Sequence, residues 1–322
     1  MIANSGEYRK KNGQRGYVMM NNFIFENKTK VYFGKGGVKE YLGGLLANFG
    51  ETVMLAYGGG SIKCNGVYDE IMGILNAQGK CVVEFSGIMS NPTYAKVQEG
   101  AKLARENHVD LILAVGGGSV SDCCKVISGA FDTLSHAMET YFGKPDENNL
   151  SDDINEAVMR SVIRNIRILL TDPENYDARS ELAWASAMAE NGVLKIGKVT
   201  DFQAHQIEHQ LGAYTNCNHG AGLAVIHPVL YRHIYKSGAA RFARFAQNVW
   251  GIAPKGSDGE TAAGIDALAA FIKEIGLPAS FAELGIPADT DFRAIADSTN
   301  VTAGCCKKLT HDEIYEILQE CL

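Results

Sequence analysis

No stretch of the 322-residue sequence approaches the ~20 consecutive apolar residues that a membrane-spanning helix needs. Residues 1–19 carry Arg9, Lys10, Lys11 and Arg15 but lack the apolar segment of a secretory signal. They are expected to form a disordered leader, or an extension upstream of a start at Met19 or Met20. Positive charge is not in excess either. Thirty Lys and Arg face 37 Asp and Glu, a net charge of −7, so nothing advertises nucleic acid or an anionic membrane as a partner. The eight cysteines include the adjacent pairs Cys123-Cys124 and Cys305-Cys306, a spacing unsuited to an ordinary disulfide or to CxxC zinc chemistry. Reduced thiols, and with them a cytoplasmic location, are expected. Internal repeats and low-complexity tracts are absent.

What is present is a globular composition, 46% hydrophobic and 21% charged, over a length that suggests two domains. After an extended aromatic run (Phe23, Phe25, Val31, Tyr32, Phe33) and the Gly34-Lys35-Gly36 break, strand and helix patterns alternate. Strands are expected at 53–57, 81–85 and 111–115, and helices up to Leu46, over 66–77 and over 93–107, where Tyr94, Val97, Ala101 and Ala104 recur at helical spacing. Short apolar strands without in/out alternation indicate a parallel sheet covered on both faces. After Ser128 the strand signal stops. Helices are expected at 129–142, 151–171, 176–191, 200–211, 219–235, 239–249, 258–275 and 310–321, the last opened by a Thr310/Glu313 capping box. The expected organisation is therefore a leader (1–19), an α/β domain (20–128) and an all-α domain (129–322).

Two Gly-Gly-Gly-Ser turns follow two of the strands. Glycines between a strand and a helix let backbone approach a phosphate, and the helix N-terminus adds unpaired N–H groups and a favourable dipole. Gly116, Gly117, Gly118 and Ser119, with Asp122 one turn on, suit a pyrophosphate; Gly58, Gly59, Gly60 and Ser61 suit the adenosine ribose of a dinucleotide. Either could also be a plain tight turn. The first turn has Lys63 nearby and no carboxylate to repel a 2′-phosphate, which favours NADP(H) over NAD(H). The N-terminal part thus reads as a Rossmann-like parallel-sheet domain.

Three of the eight histidines lie between Asp201 and Gly220. His205 and His209 share a helical face, and His219 opens the next apolar run. Any one of them alone reads as an ordinary partly buried histidine. Asp132 and His136, also at i and i+4, extend the set to one carboxylate and three imidazoles, Asp132, His136, His205 and His219, suited to Fe²⁺ or Zn²⁺. His209 stands where a base or proton relay that is not a ligand would be useful. His108, His227, His233 and His311 are expected to be structural or solvated, and Cys217 carries no assigned role.

Taken together, these residues make the chain resemble the iron-containing alcohol dehydrogenases, nearest their butanol-dehydrogenase-like branch. The matching positions are Phe33-Gly34-Lys35-Gly36, both glycine turns through Asp122, Ser90-Asn91-Pro92, Asp132 to His136, Glu190-Asn191-Gly192, His205, His209 and His219 to Ala224. The resemblance implies that Asp132, His136, His205 and His219 match the metal ligands, His209 an active-site histidine, and the glycine turns an NAD(P) cradle. It further implies a homodimer or larger assembly and a small alcohol or aldehyde substrate such as butanol or butanal. One departure stands out: between Ser128 and Gly129 the family carries further sheet-domain residues that are missing here. Losing strands from a doubly wound sheet exposes edges, a cost comparable with the ~5–15 kcal/mol stability of a domain. Hence the alternative to an active dehydrogenase is a remnant that binds metal but not dinucleotide productively; a third reading, an unrelated sugar-phosphate-binding α/β protein, requires the four metal-ligand candidates to be coincidental.

Overall fold

The computed structural model describes residues 24–27, 29–88, 94–116, 123–144, 147–253, 259–301 and 304–322. Its described residues divide into two compact units, one within 28–126 and one within 127–322 that also takes in 24–27.

In the first unit α1 (Gly37–Leu46), β1 (Thr52–Tyr57), α2 (Ser61–Cys64), α3 (Val67–Ala77), β2 (Cys81–Phe85), α4 (Tyr94–Glu106) and β3 (Leu111–Val115) follow in order. The strands form a parallel sheet in the order β2-β1-β3, with Val53 facing Val82 on one side and Leu111 on the other. Central β1 is buried on both faces, which explains its unbroken apolar run. Val53, Leu55 and Tyr57 pack with Leu46, Ile71 and Leu75 on one side; Met54 and Ala56 pack with Phe85 on the other.

The coverage of β3 and the packing of Val97 depart from expectation. β3 alternates between half-buried and exposed positions, with Ile112 59% exposed, so the sheet is not covered on both faces at this edge. No further strand among the described residues pairs with it. The aromatic run from Phe25 to Phe33 forms no strand among its described residues and leaves Phe25, Val31, Tyr32 and Phe33 exposed, because no described strand pairs with it. Phe23 lies outside the described residues, as do Ser90-Asn91-Pro92. Val97, expected on the packed face of α4, is exposed.

The second unit is helical: α5 (Cys123–Tyr141), α6 (Leu150–Thr171), α7 (Tyr176–Glu190), α8 (Gln203–Thr215), α9 (His219–Ile234), α10 (Ala239–Asn248), α11 (Gly259–Glu274), α12 (Phe281–Leu284), α13 (Phe292–Ser298) and α14 (His311–Glu320). The anticipated boundary at 128/129 falls inside α5, which runs unbroken across it. Helix α8 begins at Gln203 rather than at 200, since Phe202 adopts φ 55° and breaks the helical path. Helices α12 and α13, of four and seven residues, are too short for periodicity to announce. The Thr310/Glu313 capping box forms, and a second joins Asn149 to Asp152. An aromatic centre holds the bundle, with Phe142 stacked on Phe242 at 4.1 Å and Phe245 edge-on to Phe142. No helix among the described residues is long and apolar enough to cross a membrane.

Candidate metal centre

Four helices of the second unit supply the site. Asp132, His136 and Glu139 recur at i, i+4 and i+7 on α5 and therefore share one face. Helix α7 ends on Glu190, α8 carries His205, Glu208 and His209, and α9 opens on His219.

Each start is set locally. Phe202 offers α8 no side-chain cap, so the Glu139 carboxylate takes that place and accepts from the backbone N–H of Ala204 at 2.6 Å. Asn218 caps α9 by accepting from Ala221 N at 3.0 Å and itself receives the Ser128 hydroxyl of α5 at 2.5 Å. The first turn of α9 is thereby tied to the helix that carries Asp132.

The four expected ligand residues converge. Asp132 Oδ1 lies 3.6 Å from His136 Nε2, 3.4 Å from His205 Nε2 and 3.5 Å from His219 Nε2, and the two ring nitrogens of His136 and His205 are 3.1 Å apart. That oxygen is buried and has no hydrogen-bond partner. Ligands ~2.1 Å from a central ion in a tetrahedral site stand about 3.4 Å from one another, so the separations suit a divalent cation. Three imidazoles and a carboxylate are a donor set for a first-row metal. His209 is not among them: its exposed ring lies 5.5 Å from that of His219 and 5.9 Å from that of His205.

Charge is strongly shaped here. Burial opposes protonation of His205, but Glu139 and Asp132 outweigh it and lift the imidazole to about 9. His219 follows the same pattern, with Asp132 and Glu208 overcoming burial to reach about 10. Burial would also raise Asp132, yet His205 and His219 hold it well below the usual carboxylate range. His209 shifts downward, first through partial burial and then through the positive charges of His205 and His219.

Three carboxylates have no site role in the sequence reading, although Glu190 is among its matching positions. Glu139 grips His205 Nδ1, Glu208 grips His219 Nδ1, and Glu190 stands 2.9 Å from His136 Nδ1. The i, i+4, i+7 spacing of Asp132, His136 and Glu139 is a signal that could have found the first. No local pattern marks the other two, which depend on how α5, α7, α8 and α9 pack.

Of the expected dinucleotide residues, Gly58, Gly59, Gly60 and Ser61 do form the turn between β1 and α2, with Gly60 at φ 107°. Gly58 has little room for a side chain, since a Cβ there would stand 3.2 Å from the Ile88 carbonyl oxygen. Gly116 follows β3 directly, while Gly117, Gly118, Ser119 and Asp122 lie outside the described residues. Lys63 is near the first turn but is not a free cation: Glu84, one strand over on β2, lies 3.3 Å away and also accepts from the Tyr57 and Tyr68 hydroxyls.

Two family profiles match this chain. One, described as the Fe-containing alcohol dehydrogenase family, C-terminal, matches residues 126–322, and the other, iron-containing alcohol dehydrogenase, matches residues 28–157. A probable NADH-dependent butanol dehydrogenase 2 from Bacillus subtilis is 31% identical over 94% of this chain and 100% of its own length. The NADPH-dependent aldehyde reductase YqhD of Escherichia coli is 26% identical over 83% of this chain and 90% of its own. The crystal structure of NADH-dependent butanol dehydrogenase A from Thermotoga maritima matches with a TM-score of 0.88 and 27% identity, covering 95% of this chain and 100% of that one. The B. subtilis alignment runs over 392 residues, more than the 322 of this chain, so the relative carries residues that this chain lacks.

Proposed function

The chain belongs to the iron-containing alcohol dehydrogenase family, and from that we propose that it transfers hydride between NAD(P)(H) and a small primary alcohol or aldehyde such as butanol or butanal. Asp132, His136, His205 and His219 would hold the divalent ion, iron in keeping with the family or zinc. The observation that carries this reading is the convergence of three imidazole Nε2 atoms on the orphaned Asp132 Oδ1.

The bound ion would supply Lewis acidity to a substrate oxygen. The chain's own residues do the rest. Asp132 and the three imidazoles would hold that ion and so set where the oxygen could bind. Glu139, Glu190, Glu208 and Asp132 surround the position with negative charge, which favours an uncharged alcohol or aldehyde over an anionic substrate. No hydrogen bond among the described residues engages the ring nitrogens of His209, whose pKa is shifted below the ordinary imidazole value, so one of them can take up or return the hydroxyl proton. The dinucleotide would lie along the turns Gly58–Ser61 and Gly116–Ser119, with Asp122 at the second. Absence of a carboxylate within the first turn supports NADP(H), while the Lys63–Glu84 pair tempers that preference. A homodimer in the cytoplasm completes the proposal.

The test is direct. Purified protein loaded with Fe²⁺ or Zn²⁺ should reduce butanal with NADPH or NADH, and His205→Ala should lose both the metal and the activity. Tight metal binding without nicotinamide affinity or turnover would overturn the dehydrogenase reading and leave a metal-binding remnant.

A further inference from the structure

We propose that Glu139, Glu208 and Glu190 form an outer carboxylate ring that sets the tautomer and aim of the three histidines, with two firm arms and one loose arm. The inference rests on the metal site proposed above. An imidazole has two nitrogens, and only one can present a lone pair inward while the other carries its hydrogen outward. Each histidine meets a different glutamate on its Nδ1 side: Glu139 at His205, Glu208 at His219 and Glu190 at His136. At His205 and His219, where Nδ1–H donates to a carboxylate, the Nε2 lone pair is left facing Asp132. A carboxylate there also makes the imidazole a stronger donor to a metal.

The arms differ in burial and in what else they hold. Glu139 is buried, and its two oxygens are divided between the backbone of α8 and the His205 ring. Glu208 is equally buried and braced by small neighbours, since a Cβ on Gly222 would stand 3.0 Å from it. Among the described residues, its second oxygen accepts from the Cys217 thiol, at 3.8 Å. Glu190 is 50% exposed at the end of α7, and His136 Nδ1 lacks an aligned hydrogen-bond partner although the carboxylate is near. His136 is thus the ligand held least firmly from behind.

This division predicts unequal responses to the same substitution. A glutamine at 208 can turn its oxygen to His219 and its amide to Cys217, so it keeps the hydrogen bond. A glutamine at 139 must turn its NH₂ toward either the Ala204 N–H or the His205 N–H, because both oxygens already accept. Co²⁺ is a suitable probe, with affinity read by chelator competition and ligand geometry by the visible absorption band. Outer-shell losses of this kind cost about 10–100-fold in metal affinity. Accordingly, Glu208→Ala and Glu139→Gln should each weaken Co²⁺ binding by about that factor and shift the band, Glu208→Gln should recover to within about threefold of native, and Glu190→Ala should lose less than about fivefold. Far-UV circular dichroism identifies the folded variants; Glu139→Ala is avoided because it also removes the cap of α8. Folded Glu208→Ala and Glu139→Gln proteins that bind Co²⁺ within twofold of native with an unchanged band would overturn the proposal, and an equal loss in Glu190→Ala would overturn its ordering. A native protein that fails to bind Co²⁺ would instead overturn the metal site itself.

Discussion

A Cβ placed on Gly220 would fall 2.3 Å from the carbonyl oxygen of Ser128, so the first turn of α9 lies directly against the backbone of α5. Ser128 and Asp132 are one turn apart on α5, and Gly220 adjoins His219. The close approach therefore sets the distance between two of the proposed ligands. Gly220→Ala should push α9 away, cost about 1–3 kcal/mol in overpacking, and weaken metal binding. Thermal denaturation and metal content after dialysis check both effects; an unchanged melting temperature with full metal occupancy would contradict this account.

His227 makes stability pH-dependent. Its ring is fully buried, with Nε2 2.6 Å from the Ser135 hydroxyl, and burial lowers its pKa to about 4. The native state keeps the ring neutral while the unfolded chain binds a proton near pH 6.5, so stability from this group is present above 6.5 and declines as pH falls toward 4. At pH 5 the loss should be about 2 kcal/mol. His205 and His219, with raised pKa values, act in the opposite direction, so urea denaturation at pH 7 and pH 5 should show the His227 loss as the difference between the native protein and a folded His227→Gln variant.

The helical unit encloses a charged network whose disruption is costly. The Lys198 ammonium and the Asp152 carboxylate are both fully buried and paired; Arg241 adds a second contact to Asp152 at 2.8 Å, and Lys198 donates to the Tyr141 carbonyl at 3.1 Å. Asp152→Ala leaves two buried cations without their shared anion. A loss of about 3–5 kcal/mol is expected, measured as a fall in the denaturation midpoint.

Near the first glycine turn, Glu84 neutralises Lys63, which lies 4.4 Å above the Tyr68 ring. Glu84→Gln should free that cation for a 2′-phosphate and raise the NADPH-to-NADH preference by roughly a few-fold, a small effect as expected for an exposed pair. Steady-state KM values for the two dinucleotides decide this. An unchanged ratio would remove Lys63 from the ribose site.

By itself the sequence determined the local elements and the chemistry they carry. Short apolar runs ending at glycine turns located β1 and β3, a similar apolar run located β2, and period-3.6 patterns located the long helices, whose burial of one face is written into residue spacing. The same spacing put His205 with His209, and Asp132 with His136, on shared faces, and Thr310 with Glu313 announced a helix start. Only the tertiary structure decided which atoms meet. Glu139 caps a helix it does not belong to, Glu84 reaches Lys63 because β2 pairs with β1 in a particular register, and α5 passes unbroken through the expected domain boundary. Such contacts join residues distant in the chain, and their distances depend on helix packing and strand register, which no local pattern encodes.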